Sequence, residues 1–336
     1  MEELNIIRKL YSEIENILSK VDFNIIWQGF SCGEFALYNQ KNVYLKDKII
    51  AWDERFLGNT VIDFDNNYIA IWEIETILNN DPEYLAADMV HEMFHVYQKQ
   101  KNETRFANDL ELLAYPENLE NYQLKIIETE TLIKAFTEKN IKALYEFINI
   151  RNARKLIIGN IINHEYCAET IEGMAEYAGL ESLKQINPEK YKIRLSDHIS
   201  KLINQKDLLF DTRRMAYFTG AILCLTLKCL NLDFYHELSE KNTLFEIISK
   251  YSNDFVVEYK NNIEDKHNKI NDFMKNHSEI VQCNNYICGY DPMNMLRLDN
   301  KILCYNFVMI EDQFIKGPVL VNLKFGTVNY VESYIK

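Results

Sequence analysis

Apolar residues recur at helical spacing at the start of the chain and through its middle. Residues 2–20 place their apolar side chains on one helical face: Leu4, Ile7, Leu10, Tyr11, Ile14 and Ile17. A second helix is expected from Asp81 to about Lys99, because Asp81 can cap it and Pro82 suits its first turn. Glycine and proline are scarce from 117 to 275, which predicts helices at 118–137, 139–150, 153–162, 165–185, 189–204, 212–230, 243–251 and 254–275.

Two other regions show the short aromatic and β-branched runs that are typical of strands. Residues 35–38 and 43–45 predict one hairpin, and residues 61–64 and 68–72 predict another. Strand-like runs at 302–308 and 319–323, with a turn near Gly326 and Asn329, predict β structure in the tail. The expected fold class is α+β and mostly helical, with a small N-terminal antiparallel sheet and a C-terminal β segment. We divide the chain into 1–80 (helix plus sheet), 81–277 (central helical domain) and 278–336 (β subdomain).

Composition narrows the classes of partner. The formal net charge is -13, and an acidic surface repels nucleic acid and anionic membranes, so we expect neither as a partner. The seven cysteines are irregularly spaced without a CxxC pair, which argues against a disulfide framework or a cysteine zinc site. The first residues lack a basic segment followed by an apolar run, and no apolar stretch reaches membrane-spanning length. A cytoplasmic location is therefore expected.

The chemistry is concentrated in an HExxH sequence, His91-Glu92-Met93-Phe94-His95. Two histidines four residues apart lie on one face of a helix, so both imidazoles can reach one metal ion. Glu92 lies beside them and can take a proton from a metal-activated water. The competing interpretation is an ordinary buried helix with two hydrogen-bonded histidines.

A catalytic zinc site needs a third protein ligand. The segment 163–177 supplies candidates, since Glu165, Glu169, Glu172 and Glu176 fall broadly along one side of a helix, among apolar neighbours. Gly173 costs roughly 1 kcal/mol against alanine inside a helix. Close approach of another backbone or side chain at this position would explain why the cost is tolerated.

HEMFHVYQ followed by TIEGMAEYAGL resembles the gluzincin zinc metallopeptidases, closest to bacterial members whose second motif reads E-G-x-A-E-Y. The resemblance covers about twenty residues and implies a zincin-like core with one Zn²⁺ per chain. It implies that His91, His95 and Glu172 are the metal ligands and that Glu92 is the general base. It also implies that Glu176 holds a metal-bound histidine through the ring nitrogen that does not touch the metal.

More residues separate His95 from Glu172 in the sequence than in the best-known gluzincins. The helices between these two residues are therefore expected to be an insertion that covers the cleft. Glu169, Glu176 and His164 remain alternatives for the third ligand.

The resemblance also implies an oxyanion donor and a peptide-binding strand. Tyr217 is our candidate donor, although a packed tyrosine with no catalytic role is the competing interpretation. Arg213 and Arg214 could bind a substrate carboxylate or be solvated charges. Residues 68–72 are the candidate edge strand for an extended peptide.

Together these features predict a zinc-dependent hydrolase that acts on a peptide or protein substrate. Two alternatives stay open at this stage. One is a non-catalytic zinc- or peptide-binding protein with a zincin-like fold, against which the presence of Glu92 counts. The other is a metal-free helical scaffold or regulator.

Overall fold

A computed structural model of the chain describes residues 2–46, 48–74, 81–112, 115–235, 238–239, 241–252 and 262–336. The chain forms two compact units, Met1–Val256 and Val257–Lys336. The N-terminal helix and first sheet therefore share a unit with the central helices. Among the described residues, no helix has both the length and the apolar character that a membrane crossing requires.

The described helices and strands follow one another in mixed order. The helices are α1 (Glu2–Leu18), α2 (Phe23–Ile26), α3 (Pro82–Gln100), α4 (Asp109–Leu112), α5 (Leu119–Thr137), α6 (Ile141–Ile158), α7 (Ile162–Ala168), α8 (Met174–Ile186), α9 (Pro188–Asn204), α10 (Thr212–Cys229), α11 (Leu244–Ser249) and α12 (Asn262–Asn276). The strands are β1 (Phe35–Tyr38), β2 (Asn42–Leu45), β3 (Lys48–Ala51), β4 (Thr60–Phe64), β5 (Asn67–Glu73), β6 (Ile280–Tyr290), β7 (Met295–Leu298), β8 (Lys301–Cys304), β9 (Phe307–Ile310), β10 (Gln313–Lys316), β11 (Val319–Leu323) and β12 (Tyr330–Ile335). The predicted α+β class is confirmed.

Several predicted boundaries differ from the structure. The segments expected as two helices, 139–150 and 153–162, are largely one helix, α6, which ends at the positive-φ Gly159. The strand expected at 302–308 is interrupted at Tyr305 and divides into β8 and β9. Residues 254–261 of the last predicted helix lie outside the described residues, and α12 accounts for the rest of it.

The first sheet is mixed rather than antiparallel. Its strand order is β3-β2-β1-β5-β4, and β5 lies parallel to β1 while the other pairs are antiparallel. Both predicted hairpins, β1–β2 and β4–β5, are present. The second hairpin pairs with β1 through its strand β5, instead of continuing the sheet from β3. As a result β5 (residues 67–73) is internal, so the prediction that residues 68–72 form a free edge is wrong. The terminal strands of the described sheet are β3 and β4.

Helix α3 carries the HExxH sequence through the centre of the first unit. It begins as predicted: the side chain of Asp81 accepts a hydrogen bond from the amide of Glu83, and Pro82 occupies the first turn. Met89, Val90 and Phe94 are fully or almost fully buried in the main apolar core. Packing on these sides leaves the histidine-bearing side of α3 to face α8 and α10.

Helices α7 and α8 are joined by a π-helical turn at Glu169–Gly173, so the chain runs helically from 162 to 186. A Cβ atom on Gly173 would lie 2.7 Å from the carbonyl carbon of Gly220, which confirms the expected close approach of another backbone. A Cβ atom on Gly179 would lie 3.0 Å from the carbonyl oxygen of Ala87. The two glycines therefore let this segment contact both α10 and α3.

Helix α6, in the segment between the two motifs, has a buried polar face. Arg151 and Arg154 of α6 are fully buried. Arg154 binds Glu165 at 2.7 Å, and both arginines bind Glu128 of α5. Helices α5 and α6 therefore hold α7 in place through buried ion pairs.

The second unit is a seven-stranded sheet with the order β10-β9-β6-β12-β11-β8-β7. Because side chains alternate in direction along β11, Val319 and Val321 lie in one apolar cluster and Leu320 lies in another. Helix α12 contributes Ile270 and Phe273 to the second cluster. This unit confirms β structure in the tail.

Candidate metal centre

Three potential ligand atoms converge where α3 meets the end of the π-helical turn. Nε2 of His95 lies 3.1 Å from Nε2 of His91 and 3.1 Å from Oε2 of Glu172. Nε2 of His91 lies 3.7 Å from the same carboxylate oxygen. These residues form a group that could hold a metal ion.

The spacing of these atoms can be tested against a tetrahedral ion. With metal–ligand bonds of about 2.0–2.1 Å, neighbouring ligands of a tetrahedral site lie about 3.3–3.4 Å apart. The observed separations of 3.1, 3.1 and 3.7 Å bracket that value. Two imidazoles and one carboxylate are also a ligand set that zinc uses in hydrolases and that leaves one position open. The residues present therefore fit a single divalent ion.

The electrostatics of the centre favour a cation. Burial opposes ionisation, yet hydrogen bonds with His91 and His95 hold the pKa of Glu172 far below its usual range. Burial likewise opposes a charged His91, yet Glu172 and Glu176 raise the pKa of His91 well above its usual value. The negative potential that retains a proton on this imidazole also favours a divalent cation.

Both imidazoles are held by the ring nitrogen that faces away from the convergence point. Nδ1 of His91 lies 3.0 Å from Oε2 of Glu176, the residue expected in this role. Nδ1 of His95 lies 2.7 Å from Oε1 of Gln98. The amide nitrogen of Gln98 donates to the carbonyl oxygen of Ile171 at 3.1 Å, so it also connects α3 to the π-helical turn.

Glu92 is half-buried beside the histidines. Burial raises the pKa of Glu92, the neighbouring His91 and His95 oppose the rise, and Glu172 adds to it. A carboxylate whose pKa is moved towards neutrality is better matched to proton transfer than one in open water.

Tyr217 lies on α10 next to the centre. Its ring stacks on that of His91 with centroids 5.5 Å apart and an interplanar angle of 7°. Burial raises the pKa of Tyr217, and the adjacent Glu172 carboxylate raises it further, so the phenol keeps its proton. The structure thus places a hydroxyl donor beside the candidate ligands.

The arginines differ from each other in their surroundings. Nη2 of Arg213 donates to Oε1 of Glu172 at 2.8 Å, which leaves Oε2 to face the imidazoles. Arg214 is exposed, with Asp211 3.8 Å away. Arg213 therefore contacts a candidate ligand, in addition to the substrate role considered for it.

The alternative third ligands are directed away from the point where the three ligand atoms converge. Glu169 binds Arg151 at 2.8 Å and Thr219 at 2.6 Å. It is therefore part of the buried ion network, which consists of Arg151 and Arg154 with the glutamates that they bind. His164 pairs with Glu111 at 2.8 Å. Glu176 is close to His91, but on the ring nitrogen opposite the convergence point.

The expectation that four glutamates share one side of a helix is wrong. Glu165 and Glu169 face the buried arginines, whereas Glu172 and Glu176 face α3. The π-helical turn is the reason, since its wider i→i+5 hydrogen bonding changes the direction of the side chains that follow it.

Sequence reasoning missed three residues around the centre. Gln98 is three residues after His95, a helical spacing that could have indicated a contact. Nε2 of His198 on α9 lies 2.6 Å from Oε1 of Glu176. Arg194, also on α9, binds Asp88 of α3. No short-range pattern connects the two α9 residues to the motif.

Comparison of the chain with protein-family models, with curated proteins and with solved structures finds no significant match.

Proposed function

We propose that this chain is a zinc-dependent hydrolase that cleaves a peptide or protein substrate, with a zincin-like core. The observation that carries the proposal is the convergence of Nε2 of His91, Nε2 of His95 and Oε2 of Glu172 at tetrahedral spacing. Glu92 follows His91 directly in α3, so a proton acceptor is part of the same helix turn.

Each residue of the site has a chemical role in the proposed reaction. A zinc ion held by His91, His95 and Glu172 would lower the pKa of a water molecule and polarise a substrate carbonyl. Glu92 takes the proton of the attacking water and passes it to the leaving amine. Tyr217 donates a hydrogen bond to the carbonyl oxygen as negative charge develops on it.

A peptide substrate is supported by the resemblance of the two motifs and by the first sheet. Strand β4 is a terminal strand of the described sheet and packs against α3, which carries the HExxH residues. An extended peptide can add to such an edge through main-chain hydrogen bonds. In this proposal β4, rather than β5, is the strand that receives the substrate.

The test compares wild type with Glu92→Gln in zinc content and in hydrolysis of a quenched peptide library. Glutamine keeps the shape of the side chain but cannot accept the proton, so the variant is expected to retain about one zinc per chain and lose hydrolysis. Glu189→Gln, on an exposed part of α9, is the matched control and should behave as wild type. Absence of zinc from the wild type would overturn the proposal. Zinc without any hydrolysis in the wild type would favour the non-catalytic zinc-binding alternative.

A further inference from the structure

A chain of hydrogen bonds leads from the metal centre to α9. Nδ1 of His91 lies 3.0 Å from Oε2 of Glu176, and Oε1 of the same carboxylate lies 2.6 Å from Nε2 of His198. These hydrogen bonds join α3, α8 and α9, and the side chains of His91, Glu176 and His198 are buried or largely buried. One carboxylate is therefore held between two imidazoles.

The direction of these hydrogen bonds follows from the chemistry of the groups. An ionised carboxylate only accepts hydrogen bonds, so both rings must donate to Glu176. His91 then carries its proton on Nδ1, which leaves the lone pair of Nε2 for a metal ion. His198 donates through Nε2, and its buried Nδ1 has no hydrogen-bond partner among the described residues.

Other contacts of α9 hold His198 in place. Its ring packs edge-on against Phe218, the neighbour of Tyr217, with centroids 4.8 Å apart. Arg194, one turn earlier in α9, binds Asp88, which lies one turn before His91 in α3. Helix α9 thus contacts α3 through Arg194 and α10 through Phe218, and His198 is the α9 residue that reaches the Glu176 carboxylate of α8.

We propose that His198 is a positioning residue of the metal centre. It holds Glu176 in the orientation that keeps the His91 proton on Nδ1 and the His91 lone pair directed at the ion. This inference rests on the proposed zinc site. His198 affects the affinity for the metal through Glu176, and it contacts neither the metal nor the substrate.

The test measures the zinc dissociation constant by competition with a chelator near neutral pH. His198→Phe keeps a ring in the buried space and removes the donor, so zinc binding is expected to weaken about tenfold, the lower end of the range for residues that orient metal ligands. His198→Gln keeps an N–H donor near the position of Nε2 and should restore affinity to within about threefold of wild type. A residue that acts only by filling space would show the opposite order.

Two further comparisons separate this role from a general loss of stability. His164→Gln is the matched control, because it alters another histidine–glutamate pair, 2.8 Å long, that is outside the metal centre, and it should leave zinc affinity unchanged. In a Glu176→Ala background, His198→Phe should have no additional effect on affinity, since its route to the metal is gone. Thermal unfolding of the metal-free proteins checks that each variant folds, and His198→Asn, whose donor is too short to reach Glu176, replaces the phenylalanine variant if that one does not fold.

The outcomes distinguish the two proposals. Wild-type zinc affinity in a folded His198→Phe or His198→Asn protein would overturn the role of His198 and leave the hydrolase proposal standing. If His198→Phe lowered zinc affinity equally in the wild-type and Glu176→Ala backgrounds, the role of His198 would be overturned too. A wild-type protein that binds no zinc would overturn the hydrolase proposal and this inference with it.

Discussion

Gly173 and Gly220 touch backbone to backbone. A Cβ atom on Gly220 would lie 2.6 Å from the carbonyl oxygen of Glu169, and one on Gly173 would lie 2.7 Å from the carbonyl carbon of Gly220. Glu172 is next to the first glycine and Tyr217 is three residues before the second. The contact therefore sets the separation between a candidate metal ligand and the candidate oxyanion donor.

Gly173→Ala should destabilise the protein and disturb the metal centre. The added methyl group has no space unless the π-helical turn and α10 move apart, and such overpacking costs about 1–3 kcal/mol. The same movement shifts Glu172 away from the histidines, so zinc affinity should fall along with the free energy of unfolding. Urea denaturation and chelator competition measure the two effects.

Gly33→Ala is the matched control for this substitution. A Cβ atom at Gly33 would meet Met93 at 3.6 Å, which is ordinary contact, so stability and zinc affinity should be close to wild type. Equal stability of the Gly173 and Gly33 variants would show that the helix contact is looser than described.

The identity of the third ligand can be tested by comparing Glu172→Ala with Glu169→Gln. Removing Glu172 eliminates one of three donor atoms, so zinc should be lost from a folded protein. Glu169→Gln weakens the buried hydrogen bonds with Arg151 and Thr219, so it should lower the free energy of unfolding. Its folded fraction should nevertheless keep zinc. Zinc per folded chain, measured by elemental analysis, decides the matter, and the reverse pattern would make Glu169 the ligand.

The sequence predicted the parts of the site that depend on local spacing. Two histidines four residues apart on a helix with a clear N-cap have to share a face, and the structure brings their Nε2 atoms together. Glu172 is 77 residues from His95, and only the resemblance of its motif to a known family indicated it. His198 has no such motif, because its partner Glu176 lies on another helix and the contact depends on tertiary packing.

The errors in the fold have the same origin. The hairpins of the first sheet follow from local turn and strand patterns, but the pairing of β5 with β1 is a contact between distant segments that those patterns do not contain. The π-helical turn alters the helix by a single residue, and a helical pattern of four glutamates cannot reveal where that occurs. Local periodicity therefore predicted elements, whereas strand order and side-chain direction required the assembled structure.

Tyr217→Phe should slow hydrolysis without removing zinc. Loss of one hydrogen-bond donor to a developing oxyanion lowers kcat by about 10²–10³-fold. The phenyl ring can still stack on His91, so KM and zinc content should change little. Steady-state kinetics on a peptide that the wild type cleaves measures kcat and KM separately.

Tyr235→Phe is the control for the tyrosine substitution. Its hydroxyl bonds with that of Tyr177 at 3.0 Å and has no described contact with the metal-centre residues, so kcat should stay near wild type. Unchanged kcat in the Tyr217 variant would assign that residue to packing alone.

The buried ion network should make the metal-free protein sensitive to acid through Glu165. Burial opposes ionisation, but Arg154 and Lys125 hold the pKa of Glu165 below its ordinary value of 4.5. Because the folded-state pKa is depressed, the contribution to stability is complete above about pH 4.5 and is lost as pH falls through the folded pKa. The loss amounts to about 1.4 kcal/mol for each unit of pKa depression. Glu169 acts in the opposite sense, since burial raises its pKa and its stabilising contribution diminishes as pH rises.

Urea denaturation of wild type and Glu165→Gln from pH 7 to about pH 3.5 should show a steeper acid-side loss of stability in the wild type, while exposed Glu189→Gln keeps the wild-type slope. Parallel curves for wild type and Glu165→Gln would mean that Arg154 and Lys125 do not stabilise this carboxylate.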